Sequence, residues 1–89
     1  MVITVRYYAA ARAAAGVESE HLELPDGATL ALALKAASAV VRVPEPGAPE
    51  LGDVLRRCSF LVNEIAAKDS ERTLEDGDTV DVLPPFAGG

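Results

Sequence analysis

The chain has 89 residues, of which 49% are hydrophobic and 25% are charged, and its net charge is −6. This length predicts one small domain, and the composition excludes a chain that is disordered throughout. The acidic balance argues against nucleic acid or an anionic membrane as a partner, and it favours a protein with a basic docking surface. Arg56-Arg57 is the one pair of adjacent basic residues, which we expect at a solvated end of a helix or strand.

The single cysteine, Cys58, excludes an internal disulfide and a thiolate metal cluster, so we expect no metal site and a reducing, cytoplasmic location. Its apolar neighbours predict a buried small side chain and not a reactive thiol. Residues 1–8 lack the pattern of a signal peptide, because no basic residue precedes the apolar stretch and a charge interrupts it. No segment is apolar over the ~18 residues that a membrane span needs.

The first half of the chain predicts two strands and a helix. Alternating apolar and polar residues indicate strands over 2–8 and 18–24, which we expect to be antiparallel neighbours. Between them, the alanine-rich stretch 9–15 predicts a helical turn or a tight loop that Gly16 ends.

A turn at Pro25-Asp26-Gly27 then leads into a helix that begins at Leu30, with Thr29 as its N-cap. The apolar residues at helical spacing are Leu30, Ala33, Leu34, Ala37 and Val41.

The second half contains a proline-rich loop and three further strand signals. Three prolines place 43–49 in a loop, and 50–57 is predicted to hold a short helical piece. Residues 59–62 and 65–66 are predicted to be strands joined by a turn at Asn63-Glu64. A turn at 75–78 precedes the last strand, 79–83, where apolar and polar residues alternate again.

This order predicts an α+β fold in which one main helix covers one face of a mixed sheet. The first and last strands are the longest and richest in β-branched residues, so we expect them to pair centrally and in parallel. That arrangement is the β-grasp, or ubiquitin-like, fold. We predict a β-grasp domain over 1–83 and a protruding C-terminal tail over 84–89.

The tail carries the most informative pattern of the sequence. Pro84 and Pro85 fix φ near −65° and favour an extended exit from the sheet, so six tail residues could reach roughly 20 Å. Gly88 and Gly89 lack side chains and could therefore pass through a narrow slot to present the terminal carboxylate. The alternative interpretation is an ordinary frayed terminus.

Four segments together resemble the ubiquitin-like sulfur carriers of the ThiS/MoaD type, a family that includes the small subunit of molybdopterin synthase and the thiamine-pathway carrier. They are residues 6–12, 25–30, 62–64 and 74–89. The most specific is the last, which joins a Gly-Asp turn, a strand, two prolines, two spacer residues and a terminal Gly-Gly. Within it the chain departs from the family pattern at Phe86, which is bulkier than expected, and at Ala87, which lacks a hydroxyl.

The resemblance implies that the α-carboxylate of Gly89 is adenylated with ATP by an E1-like enzyme and is then converted to a thiocarboxylate by a persulfide or sulfide donor. The tail, formed by Pro84, Pro85, Phe86, Ala87, Gly88 and Gly89, would insert into the large catalytic subunit of molybdopterin synthase. Its sulfur would pass to a pterin precursor during molybdenum cofactor biosynthesis. The chain itself would bind no cofactor and have no active site.

Insertion of a tail requires further contacts beside it, because ordering each backbone residue costs roughly 1–2 kcal/mol. We expect Tyr8 and Leu83 to form this partner interface, since they alternate away from the inward-facing Tyr7 and Val82. Alternatively, both side chains simply cover the edge of the core.

Two other functions remain open at this point. The same carrier chemistry could serve cysteine, thiamine or tRNA thiolation, or conjugation to protein lysines. A non-covalent β-grasp adaptor would leave the Gly-Gly ending without a role.

Overall fold

The computed structural model describes residues 1–40 and 42–85, which form eight helices and strands in the predicted order. They are β1 Val2–Tyr7, α1 Ala9–Ala15, β2 Ser19–Glu23, α2 Leu30–Ala39, α3 Leu51–Leu55, β3 Ser59–Val62, β4 Ile65–Ala66 and β5 Thr79–Leu83. The first two strands and the short helix α3 are one to three residues shorter than predicted. At the end of β1 the cause is visible, because the carbonyl of Tyr8 already accepts a hydrogen bond from the Ala11 amide of α1, at 3.0 Å.

The strands form a five-stranded mixed sheet in the order β2-β1-β5-β3-β4. The central strands β1 and β5 are parallel, with Tyr7 opposite Val82, and every other pair is antiparallel. This topology confirms the predicted β-grasp fold. Because β1 and β5 run in the same direction, both end at one edge of the sheet, which is where the tail begins.

The three helices and one face of the sheet enclose a single hydrophobic core. Strand residues at alternate positions, such as Ile3, Val5 and Val80, are buried against apolar residues of all three helices. Helix α2 begins as predicted, since the Thr29 hydroxyl accepts a hydrogen bond from the Leu32 amide at 3.2 Å. The expected core position Val41 lies outside the described residues.

A loop over 42–49 is held against the core by a cluster of polar side chains. Arg42 forms an ion pair with Glu20, and both side chains are largely buried. Arg42 also donates to the Tyr7 hydroxyl at 3.2 Å and to the carbonyl of Ala37 at 2.7 Å, while the Tyr7 hydroxyl donates to Glu20. Burial and the hydrogen bond to Glu20 raise the pKa of Tyr7 above its ordinary value, so the phenol stays protonated.

The same loop passes close to Gly16, which ends α1 in a left-handed conformation with φ of 77°. The Gly16 amide donates to the Arg12 carbonyl at 2.8 Å, and a Cβ at this position would overlap the backbone carbonyl of Val43. Glycine is therefore required here both by the backbone conformation and by the close approach of the loop.

We expect Gly16→Ala to lower the free energy of unfolding by about 3 kcal/mol, because it combines left-handed strain with a backbone clash. Gly27→Ala is the matched control: Gly27 has φ of 83°, but apart from its chain neighbours no atom lies within 4 Å of the place that a Cβ would occupy. Gly27→Ala should lower the free energy of unfolding by only about 1 kcal/mol, because it introduces left-handed backbone strain without a clash. Equal losses for the two variants in urea unfolding would contradict the proposed clash.

Candidate functional site

The candidate site is the edge of the sheet from which the tail leaves. Here β1 and β5 end, and the antiparallel strand β3 begins, with Ser59 opposite Leu83. Pro84 and Pro85 follow β5 directly, and proline has no amide hydrogen with which to extend a strand ladder. The chain therefore leaves the sheet where the central strand β5 ends.

The structure describes the first two of the six predicted tail residues. Pro84 is half-buried and Pro85 is exposed. Phe86, Ala87, Gly88 and Gly89 lie outside the described residues. Strand β5 ends at Leu83, and both the extent of the tail over 84–89 and the roles of its residues remain predictions.

The two predicted interface residues lie at the tail exit, one position beyond the central pair of Tyr7 and Val82. Tyr8 is 40% exposed, and Leu83 is half-buried on the face of the sheet opposite the helices. Both side chains are accessible beside the tail, and their contact with a partner remains a prediction.

An ion pair near the tail exit was not predicted from the sequence. On the face opposite the helices, Arg6 of β1 donates to both carboxylate oxygens of Asp81 of β5, with Nε–Oδ1 2.5 Å and Nη2–Oδ2 2.8 Å. Asp81 is only 4% exposed. The hydrogen bonds and the charge of Asp81 raise the pKa of Arg6 further above its ordinary value, so the guanidinium stays protonated. The bidentate pair joins the two central strands.

Cys58 lies directly before β3 and is only partly buried, so it is less buried than its sequence context predicted. Its thiol donates to the Val54 carbonyl at 3.1 Å, and burial raises the pKa of the thiol, which disfavours the thiolate. This position does not suit a sulfur acceptor.

We therefore expect Cys58→Ser to leave sulfur loading of the chain unchanged, because serine can make the same hydrogen bond to Val54. Loading would be followed by intact mass with the activating enzyme, ATP and a sulfur source. A chain that loses loading on this substitution would place the transferred sulfur on Cys58 and not on the tail.

The described residues contain no cluster of metal-binding side chains and no helix that could cross a membrane. No group of three or more His, Cys, Asp and Glu side chains within 1–40 and 42–85 could hold a metal ion. His21 lies exposed in β2, where its Nδ1 is 3.2 Å from the Thr4 hydroxyl. None of the helices in the described part of the chain is long and apolar enough to cross a membrane.

Comparison with known proteins assigns the chain to a family. Residues 5–89 match the ThiS family, so the match includes both the β-grasp strands and the tail. The chain belongs to the ThiS family. Similarity to curated members extends over the full length: the molybdopterin synthase sulfur carrier subunit of Chlamydomonas reinhardtii is 36% identical over 90 residues, covering 100% of each chain. The subunit of the same name from Pyrenophora tritici-repentis is 34% identical, covering 97% of this chain and 88% of its own.

Solved structures agree with the fold of this ThiS-family chain. A solution structure of a Haloferax volcanii protein gives a TM-score of 0.77 at 28% identity, covering 100% of this chain and 87% of that one. A complex of subunits 1 and 2 of the molybdopterin-converting factor from Helicobacter pylori contains a chain that matches with a TM-score of 0.62 at 24% identity, over 100% of both chains. At this identity the second likeness is evidence for the fold alone.

Proposed function

We propose that this chain is a cytoplasmic sulfur carrier that acts as the small subunit of molybdopterin synthase, with the α-carboxyl group of Gly89 as its reactive group. The observation that carries the proposal is the position of the tail. Pro84 and Pro85 continue the central strand β5 out of the sheet, and the family match extends to residue 89. The full-length similarity to a subunit named as the sulfur carrier of molybdopterin synthase supports the choice of pathway.

Loading begins with the carboxylate, which is ionised at neutral pH because its reference pKa is about 3.3–3.7. A carboxylate oxygen attacks the α-phosphorus of ATP in an adenylating enzyme, and pyrophosphate leaves. Sulfide then attacks the carbonyl carbon of the acyl-adenylate and AMP leaves, which yields a thiocarboxylate. With a persulfide donor the first product is an acyl disulfide, and a second thiol reduces it to the same thiocarboxylate.

Delivery requires a second protein, since the carrier supplies only the nucleophilic sulfur. We propose that the tail enters the large catalytic subunit of the synthase, where its sulfur displaces an oxygen substituent from a carbon of a pterin precursor and forms a thioester. Water then cleaves the bond between the acyl carbon and the sulfur, which leaves the sulfur on the pterin and returns Gly89 to a carboxylate. Tyr8 and Leu83, which flank the tail exit, would contact the rim of the large subunit. The sequence similarity to a curated sulfur carrier subunit of molybdopterin synthase supports this assembly.

The choice of pathway is tested by deleting the gene in its host and measuring molybdoenzyme activity. We expect this activity to be lost and to return when the wild-type gene is restored. Intact molybdoenzyme activity in the deletion strain, together with a defect in cysteine, thiamine or thiolated tRNA, would assign the carrier to another sulfur pathway.

A further inference from the structure

A groove lies beneath the start of the tail, beside the candidate site. It has a volume of about 390 Å³, and its apolar part is formed by Ala10, Pro49, Val54 and Pro85. Arg56 and Arg57, which follow the end of α3, line the same groove. Because Pro85 lines this groove, a protein that binds the first residues of the tail also lies next to the groove.

The two arginines differ in their partners. Arg56 donates to Asp53, which also lines the groove, with Nη1–Oδ1 2.5 Å. Arg57 is exposed, and its guanidinium forms no ion pair with any carboxylate in the described part of the chain. A guanidinium presents a rigid fork of donors that suits a carboxylate in a bidentate geometry, and arginine beside an apolar pocket is typical of interface hot spots.

The opposite end of the sheet carries a concentration of acidic residues. The turn 75–78 contains three carboxylates and lies against the start of β1, where Asp76 accepts a hydrogen bond from the Val2 amide at 2.7 Å. Asp26 is also at this end, 3.6 Å from the N-terminal amine. These carboxylates thus lie at the end of the sheet away from the tail, so they do not face an acidic surface that approaches Arg57.

We propose that this groove docks an acidic segment of the adenylating enzyme, with a carboxylate on Arg57 and a neighbouring apolar side chain against Val54 and Pro85. The inference rests on the proposed carrier function and deepens it. We assign the adenylating enzyme as the partner because each of the sulfur pathways considered above begins with loading of the carrier by such an enzyme. Docking at the root of the tail would direct Gly89 into the enzyme.

The test compares charge reversal at two exposed arginines in the full chain. Arg57→Glu places a negative charge in the groove. Arg72→Glu is the control: it changes the net charge by the same amount, but Arg72 lies in an exposed loop, next to the bridge between Thr73 and Thr29. Association with the purified adenylating enzyme of the same organism is measured by stopped-flow fluorescence at low and high salt. We expect Arg57→Glu to lower the association rate and the affinity about tenfold at low salt, and Arg72→Glu to change them less than about twofold.

Arg57→Lys distinguishes bidentate hydrogen bonding from charge alone, because lysine keeps the positive charge but lacks the planar pair of guanidinium donors. Its affinity should lie between those of the wild type and Arg57→Glu. Since Arg57 is exposed, all three variants should show wild-type thermal unfolding, which circular dichroism checks.

Four results would overturn the docking site. Equal effects of the two charge reversals would indicate a general charge effect, and wild-type binding by Arg57→Glu would show that the groove is not used. Faster binding by Arg57→Glu would indicate that residues 86–89 of the chain itself occupy the groove. A dimer of this chain that Arg57→Glu dissociates would assign the groove to a second copy. Failure of the wild type itself to bind the enzyme would contradict the carrier function as well, so the two failures are distinguishable.

Discussion

Deletion of Gly89 is expected to abolish sulfur loading and to leave the thermal unfolding midpoint of the domain unchanged. The shortened chain still ends in a glycine carboxylate, but this group falls about 3.5 Å short of the wild-type position when the tail is extended. Such a displacement removes the alignment that an in-line attack on a phosphate requires. Stability should not change, because the buried core lies between Ile3 and Val82.

Intact mass after incubation with adenylating enzyme, ATP and a sulfur source measures the loading, and calorimetry measures the unfolding midpoint. Ala87→Ser is the matched control, since it alters the tail but keeps its length and both glycines, and it should load like the wild type. Loading of the Gly89 deletion, or a large fall in its unfolding midpoint, would show that the tail has a different role.

The second large effect is a loss of stability, which we expect when the loop that Arg42 holds against the core loses its ion pair. We predict that Arg42→Ala lowers the free energy of unfolding by roughly 2–4 kcal/mol, because it leaves the carboxylate of Glu20 and the hydroxyl of Tyr7 without their buried cation. Breaking a buried pair from one side costs more than the pair itself contributes, since the remaining charge stays desolvated.

Urea unfolding at neutral pH checks this prediction, with Arg72→Ala as the exposed control. The double variant Arg42→Met with Glu20→Gln should recover part of the loss, because no unpaired charge is then left in the core. A loss below about 0.5 kcal/mol for Arg42→Ala, typical of surface substitutions, would contradict the role assigned to this cluster.

Much of the fold could be predicted because its signals are local. The alternation in β1 and β5, the glycine after α1 and the Thr29 cap each act within a few residues, and all appear in the structure. The parallel pairing of β1 with β5 followed from their length and composition. The tail could be proposed for the same reason, since two prolines and two glycines each restrict or free the backbone locally, and it remains a prediction.

Contacts between distant residues were not predictable from these patterns. Asp81 alternates with buried valines and therefore resembled an exposed strand residue, but the register places it beside Arg6, 75 residues away. Arg42 follows α2 in a segment without a pattern, and its ion pair with Glu20 depends on the path of the loop. The groove beside Arg57 likewise combines residues from α1, α3 and the tail, which only the folded chain brings together.

The most direct test of the carrier function is the mass of the C-terminal peptide of the wild-type chain after reaction with its adenylating enzyme, ATP and a sulfur source. We predict that one oxygen is replaced by sulfur and that fragmentation locates the sulfur at the carboxyl group of Gly89. A peptide that keeps both oxygens, under conditions in which the enzyme consumes ATP with a control carrier, would contradict the proposed function.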